Sequence, residues 1–67
     1  MSKLDKALLE FVKRTDGQVP RKIYMGYDIL KDVMLGNGWI KIDKVHMCYE
    51  GIPFFIVQQD HDHLEIY

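Results

Sequence analysis

The C-terminal stretch QQDHDHLEIY holds the densest group of ligand-type side chains in the chain. His61 and His63 lie one residue apart, flanked by Asp60, Asp62 and Glu65. On a strand, residues i and i+2 point to one face with Cα atoms roughly 6.6–7 Å apart. That spacing seats two imidazoles on a zinc ion if a third ligand completes the shell. Glu65 shares the parity of both histidines, so His61, His63 and Glu65 form one possible metal set. His46 is the other histidine to test. If the last strand folds back beside the strand carrying Phe55, His46 falls three or four positions from His63. That is roughly 10–13 Å along the strand, which metal bonds of about 2 Å do not span. The competing reading is a turn. Asp60 to Asp62 must reverse the chain, and Asp is a favoured turn residue. His61 then lies in a loop, and no cofactor is expected.

Cys48 and His46 share strand parity and resemble a nucleophile and base in spacing alone. A reactive thiol needs a basic cluster or helix N-terminus to lower its pKa, and neither is evident beside Cys48. A half-buried thiol is the reading we carry forward. Gly36-Asn37-Gly38 follows a helix pattern and precedes a strand pattern, whereas phosphate-cradling loops precede a helix. It is read as a helix stop.

Composition narrows the function classes. The chain has 67 residues, read as a single domain over 1–67, with 48% apolar content. A domain this small gains from a disulfide, a metal or self-association. One cysteine cannot form an internal bridge, and a lone thiol fits a reducing cytoplasm. Net charge is -1, without the basic patch that phosphate-backbone binding needs. No apolar run reaches the roughly 20 residues of a membrane span, and MSKLDKALLEFVKR is not read as a secretory leader because charges interrupt it. The expectation is a cytoplasmic protein with no membrane or nucleic-acid partner.

The elements that must position these residues follow from periodicity. Leu4, Leu8, Phe11 and Val12 fall on one helical face, with Ser2 as N-cap and Asp5 at the capping-box position. Thr15-Asp16-Gly17 stops that helix. Lys22–Met25 reads as a short strand, and Asp28–Leu35 as a second helix. From Trp39 onward the pattern is β. Its parity changes near Asp43-Lys44, which implies a bulge, a turn or a change of strand. Glu50-Gly51 reads as a two-residue hairpin loop. It pairs Tyr49 with Ile52, Met47 with Phe54 and Val45 with Ile56 on one apolar face, and sets Pro53 opposite Cys48. The last strand, His63–Tyr67, is expected to return through Gln58–Asp62. The predicted fold is α+β: an N-terminal helix, a short strand, a second helix and a three-stranded antiparallel meander. One helix on each sheet face is one way to cover it, and a partner on the second face is the other.

Surplus rings and methionines suit an interface. Trp39, Phe55, Val57 and Tyr67 are the expected partner contacts. Arg21, Lys22 and Tyr24 are the alternative contacts, for a small ligand such as a nucleotide in a pocket at an oligomer interface.

Two stretches carry a resemblance. PRKIYMGYDIL (20–30) places a proline, a short strand and a helix in that order, and YEGIPFFIV (49–57) places a turn glycine before an apolar strand with proline. This order resembles small open reading frames of tailed bacteriophages. It is also similar to a strand-helix-strand segment of tailed-phage major capsid proteins. The resemblance implies a phage accessory protein and assigns no functional residue. Taken together, the expected function is a non-enzymatic protein-binding modulator, inhibiting a host factor and acting as a homo-oligomer. The alternatives are a nucleotide binder and a virion component.

Overall fold

The computed structural model describes residues 2–67. Helix α1 spans Lys3–Arg14. The Ser2 hydroxyl caps it by accepting the Asp5 N–H at 3.1 Å, as the capping pattern predicts. Strand β1 (Ile23–Gly26) runs directly into α2 (Tyr27–Leu35). A single 3-10 turn follows at Gly38–Lys41, then β2 (Ile42–Asp43), β3 (Cys48–Tyr49), β4 (Ile52–Val57) and β5 (Leu64–Ile66).

The class is α+β, but the sheet is not the predicted meander. It has five strands in the order β2-β3-β4-β1-β5. Strand β1 inserts between β4 and β5. It pairs parallel to β4, with Ile23 opposite Phe54, and antiparallel to β5, with Ile23 opposite Ile66. The insertion satisfies both edges of the apolar β1 strand, which an isolated position before the meander would have left bare.

The hairpin at Glu50-Gly51 has the predicted register at its base, with Tyr49 opposite Ile52 and Cys48 opposite Pro53. Glu50 (φ 51°) and Gly51 (φ 82°) are both left-handed, the conformation that a two-residue loop needs to match strand twist. Pro53 lies one residue before the β1 pairing begins at Phe54, so no neighbour needs its missing N–H.

The hairpin does not extend to Val45. The Asp43 carboxylate accepts the N–H groups of Val45 (3.0 Å) and His46 (3.3 Å). This Asx-type turn bends residues 44–47 out of the sheet. Beyond the two paired residues only one ladder-like bond persists, from Phe54 N–H to the Met47 carbonyl at 2.9 Å. Met47, at φ 52°, has left strand geometry. Trp39–Lys41 also departs from the predicted strand. The backbone at Gly38 lies so close to Val33 that an added Cβ would meet Val33 Cγ1 at 2.6 Å. This contact folds the 3-10 turn back onto α2.

Both helices pack on the same sheet face. Leu4 of α1 and Ile29 and Val33 of α2 meet Ile23, Met25, Tyr49 and Phe54 in one buried cluster. Burying these side chains stabilises the fold by roughly 1.5–3 kcal/mol each. Strand alternation sends Tyr24, Phe55, Val57, Glu65 and Tyr67 to the opposite face, away from the face on which α1 and α2 pack.

Candidate functional site

The outer sheet face gathers most of the predicted contact residues. Tyr24 of β1 stacks on Phe55 of β4 with centroids 5.2 Å apart. Tyr67, just beyond β5, meets Tyr24 edge-on at 5.6 Å. Lys22 Nζ lies 5.5 Å from the Tyr24 ring and 5.3 Å from the Tyr67 ring, close enough for cation–π attraction. Phe55 and Tyr67 are each 48% exposed. Val57 is half-buried on the same face, opposite Gly26. The Tyr67 hydroxyl donates to Glu65, and this bond holds the phenol above its ordinary pKa.

Arg21 lies at the rim rather than in the row. Its N–H donates to the Tyr67 carbonyl at 2.6 Å. A shallow cleft of about 510 Å³ is lined by Arg21, Lys22, Tyr67, Phe11, Gln18 and Val19. Tyr24 is not part of that lining, so the predicted ligand set is split between the cleft and the aromatic row.

Trp39 belongs to a second surface. With Leu30, Met34, Ile42, Met47 and Phe54 it lines an apolar groove of about 200 Å³, and Lys44 is the one charged residue of the lining. Sequence reasoning had grouped Trp39 with Phe55. The 3-10 turn instead carries it to the α2 side. Met34 and Lys44 were missed as site residues. No sequence spacing signals them, because the turn is brought against α2 by the close approach of Gly38 to Val33.

The DHDH stretch is a loop, as one of the two readings predicted. The His61 carbonyl accepts the Asp28 N–H (3.0 Å) and the His63 carbonyl accepts the Gly26 N–H (2.8 Å). The first bond satisfies one N–H of the first turn of α2, which has no side-chain cap, and the second extends the β1–β5 pairing. The side chains diverge. His61 stands edge-on to Tyr27 at 5.8 Å, while His63 Nε2 meets Glu65 Oε1 at 2.7 Å and Nδ1 faces Asp60 at 3.7 Å. These carboxylates occupy opposite ring nitrogens, so one ion cannot bind both through His63. No cluster of three or more metal-type ligands occurs among the described residues.

His46 lies in the turn that leads into β3, and both β4 and β1 separate β3 from the β5 strand that follows His63. Three strand spacings are about 14 Å. The His46 ring bonds Asp43 Oδ2 at 2.7 Å, and Cys48 Sγ points to the His46 carbonyl at 3.4 Å. The thiol and imidazole are thus not engaged with each other. No helix among the described residues is long and apolar enough to cross a membrane.

The fold and these surfaces define a small two-layer α+β domain with one open sheet face. Comparison with known protein families, curated proteins and solved structures produced no match.

Proposed function

We propose that this chain is a small binding protein that acts by contact rather than catalysis and self-associates through its outer sheet face. The observation that carries this reading is the uncovered row of Tyr24, Phe55 and Tyr67. Large rings contribute roughly 150–250 Å² each when buried, and a standard interface needs about 800 Å² per partner. Phe55 and Tyr67 are already half covered, each 48% exposed, so the row supplies only part of that area, and Val57, Pro53, Lys22 and Glu65 around it must supply the rest. Lys22 and Glu65 put opposite charges on one face, which a two-fold arrangement can set against each other. A net charge of -1 opposes association little.

Sedimentation velocity over a concentration series tests this. Wild type should show a monomer–dimer equilibrium and Phe55→Asp a monomer with an unchanged circular dichroism spectrum. A wild type that stays monomeric at every concentration removes the reading.

The cleft at Arg21, Lys22 and Tyr67 favours a second reading, binding of a planar anion such as a nucleotide. Thermal-shift measurement with ATP should raise the midpoint for wild type and not for Arg21→Glu. The phage accessory role, inhibitor or virion component, rests on the resemblance of residues 20–30 and 49–57. Mass spectrometry of phage particles and the genes beside this one distinguish the two forms of it.

A further inference from the structure

Strand β4 has an unpaired edge inside the sheet. Strand β3 covers only Ile52 and Pro53, whereas β1 pairs with Phe54–Val57 on the other side. Among the described residues, no strand stands on the β3 side of Phe54–Val57. The alternation of an antiparallel ladder puts the N–H and C=O of Ile56 on that side. The Phe54 N–H, also on that side, is taken by Met47. An open edge of this kind is a template for an added strand.

The edge borders the Trp39 groove. A depression of about 460 Å³ beside it is lined by His46, Met47, Pro53, Phe54, Phe55 and Ile56. Met47 and Phe54 also line the groove, so edge and groove form one continuous surface. Phe54, only 4% exposed, lies among the groove's lining residues, while Met34, Met47 and Trp39 remain about half exposed around it. Methionines adapt to irregular apolar partners. A space of about 200 Å³ suits one large apolar side chain. Lys44 has no carboxylate within ion-pair distance among the described residues, so its charge is available to an incoming acidic group.

We propose that the Phe54–Val57 edge accepts an extended segment of a protein partner as an added strand. One bulky apolar side chain of the segment fills the Trp39 groove, and an acidic neighbour meets Lys44. The unpaired backbone selects an extended segment over a helix. The lone cation selects acidic over basic neighbours. This inference rests on the binding-protein reading for its class; the edge meets the outer sheet face at Pro53 and Phe55, so Tyr67, which lines neither the groove nor the depression, is the residue that tells the two apart.

The test is selection of a displayed library of random twelve-residue peptides on the full-length protein. Enriched peptides should combine a large apolar residue with a nearby Asp or Glu. A synthesised winner should shift the emission of Trp39, the one tryptophan of the chain. Lys44→Glu should weaken it about tenfold, the scale of one lost interface charge contact. N-methylation at one alternate set of peptide positions should cost more than about tenfold, and at the other set little, because only every second N–H of an added strand faces the sheet. Tyr67→Ser should leave peptide binding unchanged even where it weakens self-association, which separates this inference from the sheet-face reading. Failure to enrich any peptide overturns it. So do winners indifferent to Lys44→Glu and to alternate N-methylation, or winners lost with Tyr67→Ser.

Discussion

The Tyr49 hydroxyl donates to Asp5 Oδ1 at 2.7 Å across 44 residues of chain. The bond ties β3 to the first turn of α1. Tyr49 is fully buried, and Asp5 is held at the helix start by the Ser2 cap. A hydrogen bond to a charged acceptor contributes about 1.5–3 kcal/mol. Tyr49→Phe keeps the ring and loses the bond, while half-buried Asp5 regains some water. The expected cost is about 1–2 kcal/mol, read as a lower urea midpoint with an unchanged m-value.

The same bond sets an alkaline limit. Burial, with the Asp5 carboxylate second, pushes the Tyr49 phenol well above its ordinary value of 10.0. The folded chain therefore keeps a proton that the unfolded chain releases near pH 10, and stability falls as pH rises where the folded state binds more protons. The contribution is complete below pH 10 and is lost above it. Urea midpoints of wild type should decline more steeply than those of Tyr49→Phe between pH 9 and 11. Parallel curves would show that Tyr49 does not hold its proton in the fold.

Gly26→Ala should be among the most damaging single-atom additions. A Cβ there would lie 2.2 Å from the Asp60 carbonyl oxygen and 2.3 Å from the His61 carbonyl. Backbone cannot yield as a side-chain tip can. The loop must move away, breaking the bonds that cap α2 and close β1. The expected loss exceeds about 3 kcal/mol, enough to unfold much of a marginal domain. Calorimetry checks it. Gly17→Ala, with open space around its added Cβ, should cost less and act only through its left-handed backbone.

Acid should release the turn before β3. The His46 ring, with the His46 and Val45 N–H groups, holds the Asp43 carboxyl below its ordinary 3.8. A depressed folded pKa contributes stability above the unfolded value and loses it as pH falls through the folded one. Amide signals of Val45 and His46 should therefore shift together below pH 3.8 in wild type and already be displaced in Asp43→Asn at neutral pH. Independent titration of the two amides would break the link to one carboxylate.

Local chemistry was legible in the sequence and long-range pairing was not. Ser2 and Asp5 announced the α1 cap, and Glu50-Gly51 with its facing apolar pairs announced the hairpin base. Parity alone placed Phe55 and Val57 on one face. Nothing local in Ile23–Gly26 states that it runs parallel to β4, because no turn chemistry links strands so distant in sequence. The apolar alternation of Val45 and Met47 imitated a strand, yet one Asp43 carboxylate captured two N–H groups and ended it. Placing β1 between β4 and β5 had two effects. It joined Tyr24 and Tyr67 to Phe55, and it removed the DHDH stretch from β4. Trp39 was separated from these residues by a close approach at Gly38 that sequence spacing does not record.

Zinc should leave stability unchanged. The predicted donors His61, His63 and Glu65 are all present, but the loop directs them differently. His61 stands against Tyr27. His63 Nε2 lies 2.7 Å from Glu65 Oε1, and its Nδ1 faces Asp60. Gathering all three on one ion would rotate His61 off Tyr27 and displace the Glu65 carboxylate from the Tyr67 hydroxyl. A ligand at a hundred times its Kd stabilises by about 2.7 kcal/mol. In a domain this small that would raise Tm by more than about 10 °C. Scans with and without a molar excess of zinc should instead superimpose. A midpoint that climbs with zinc and returns on His61→Ala would restore the metal reading and require the loop to refold around the ion.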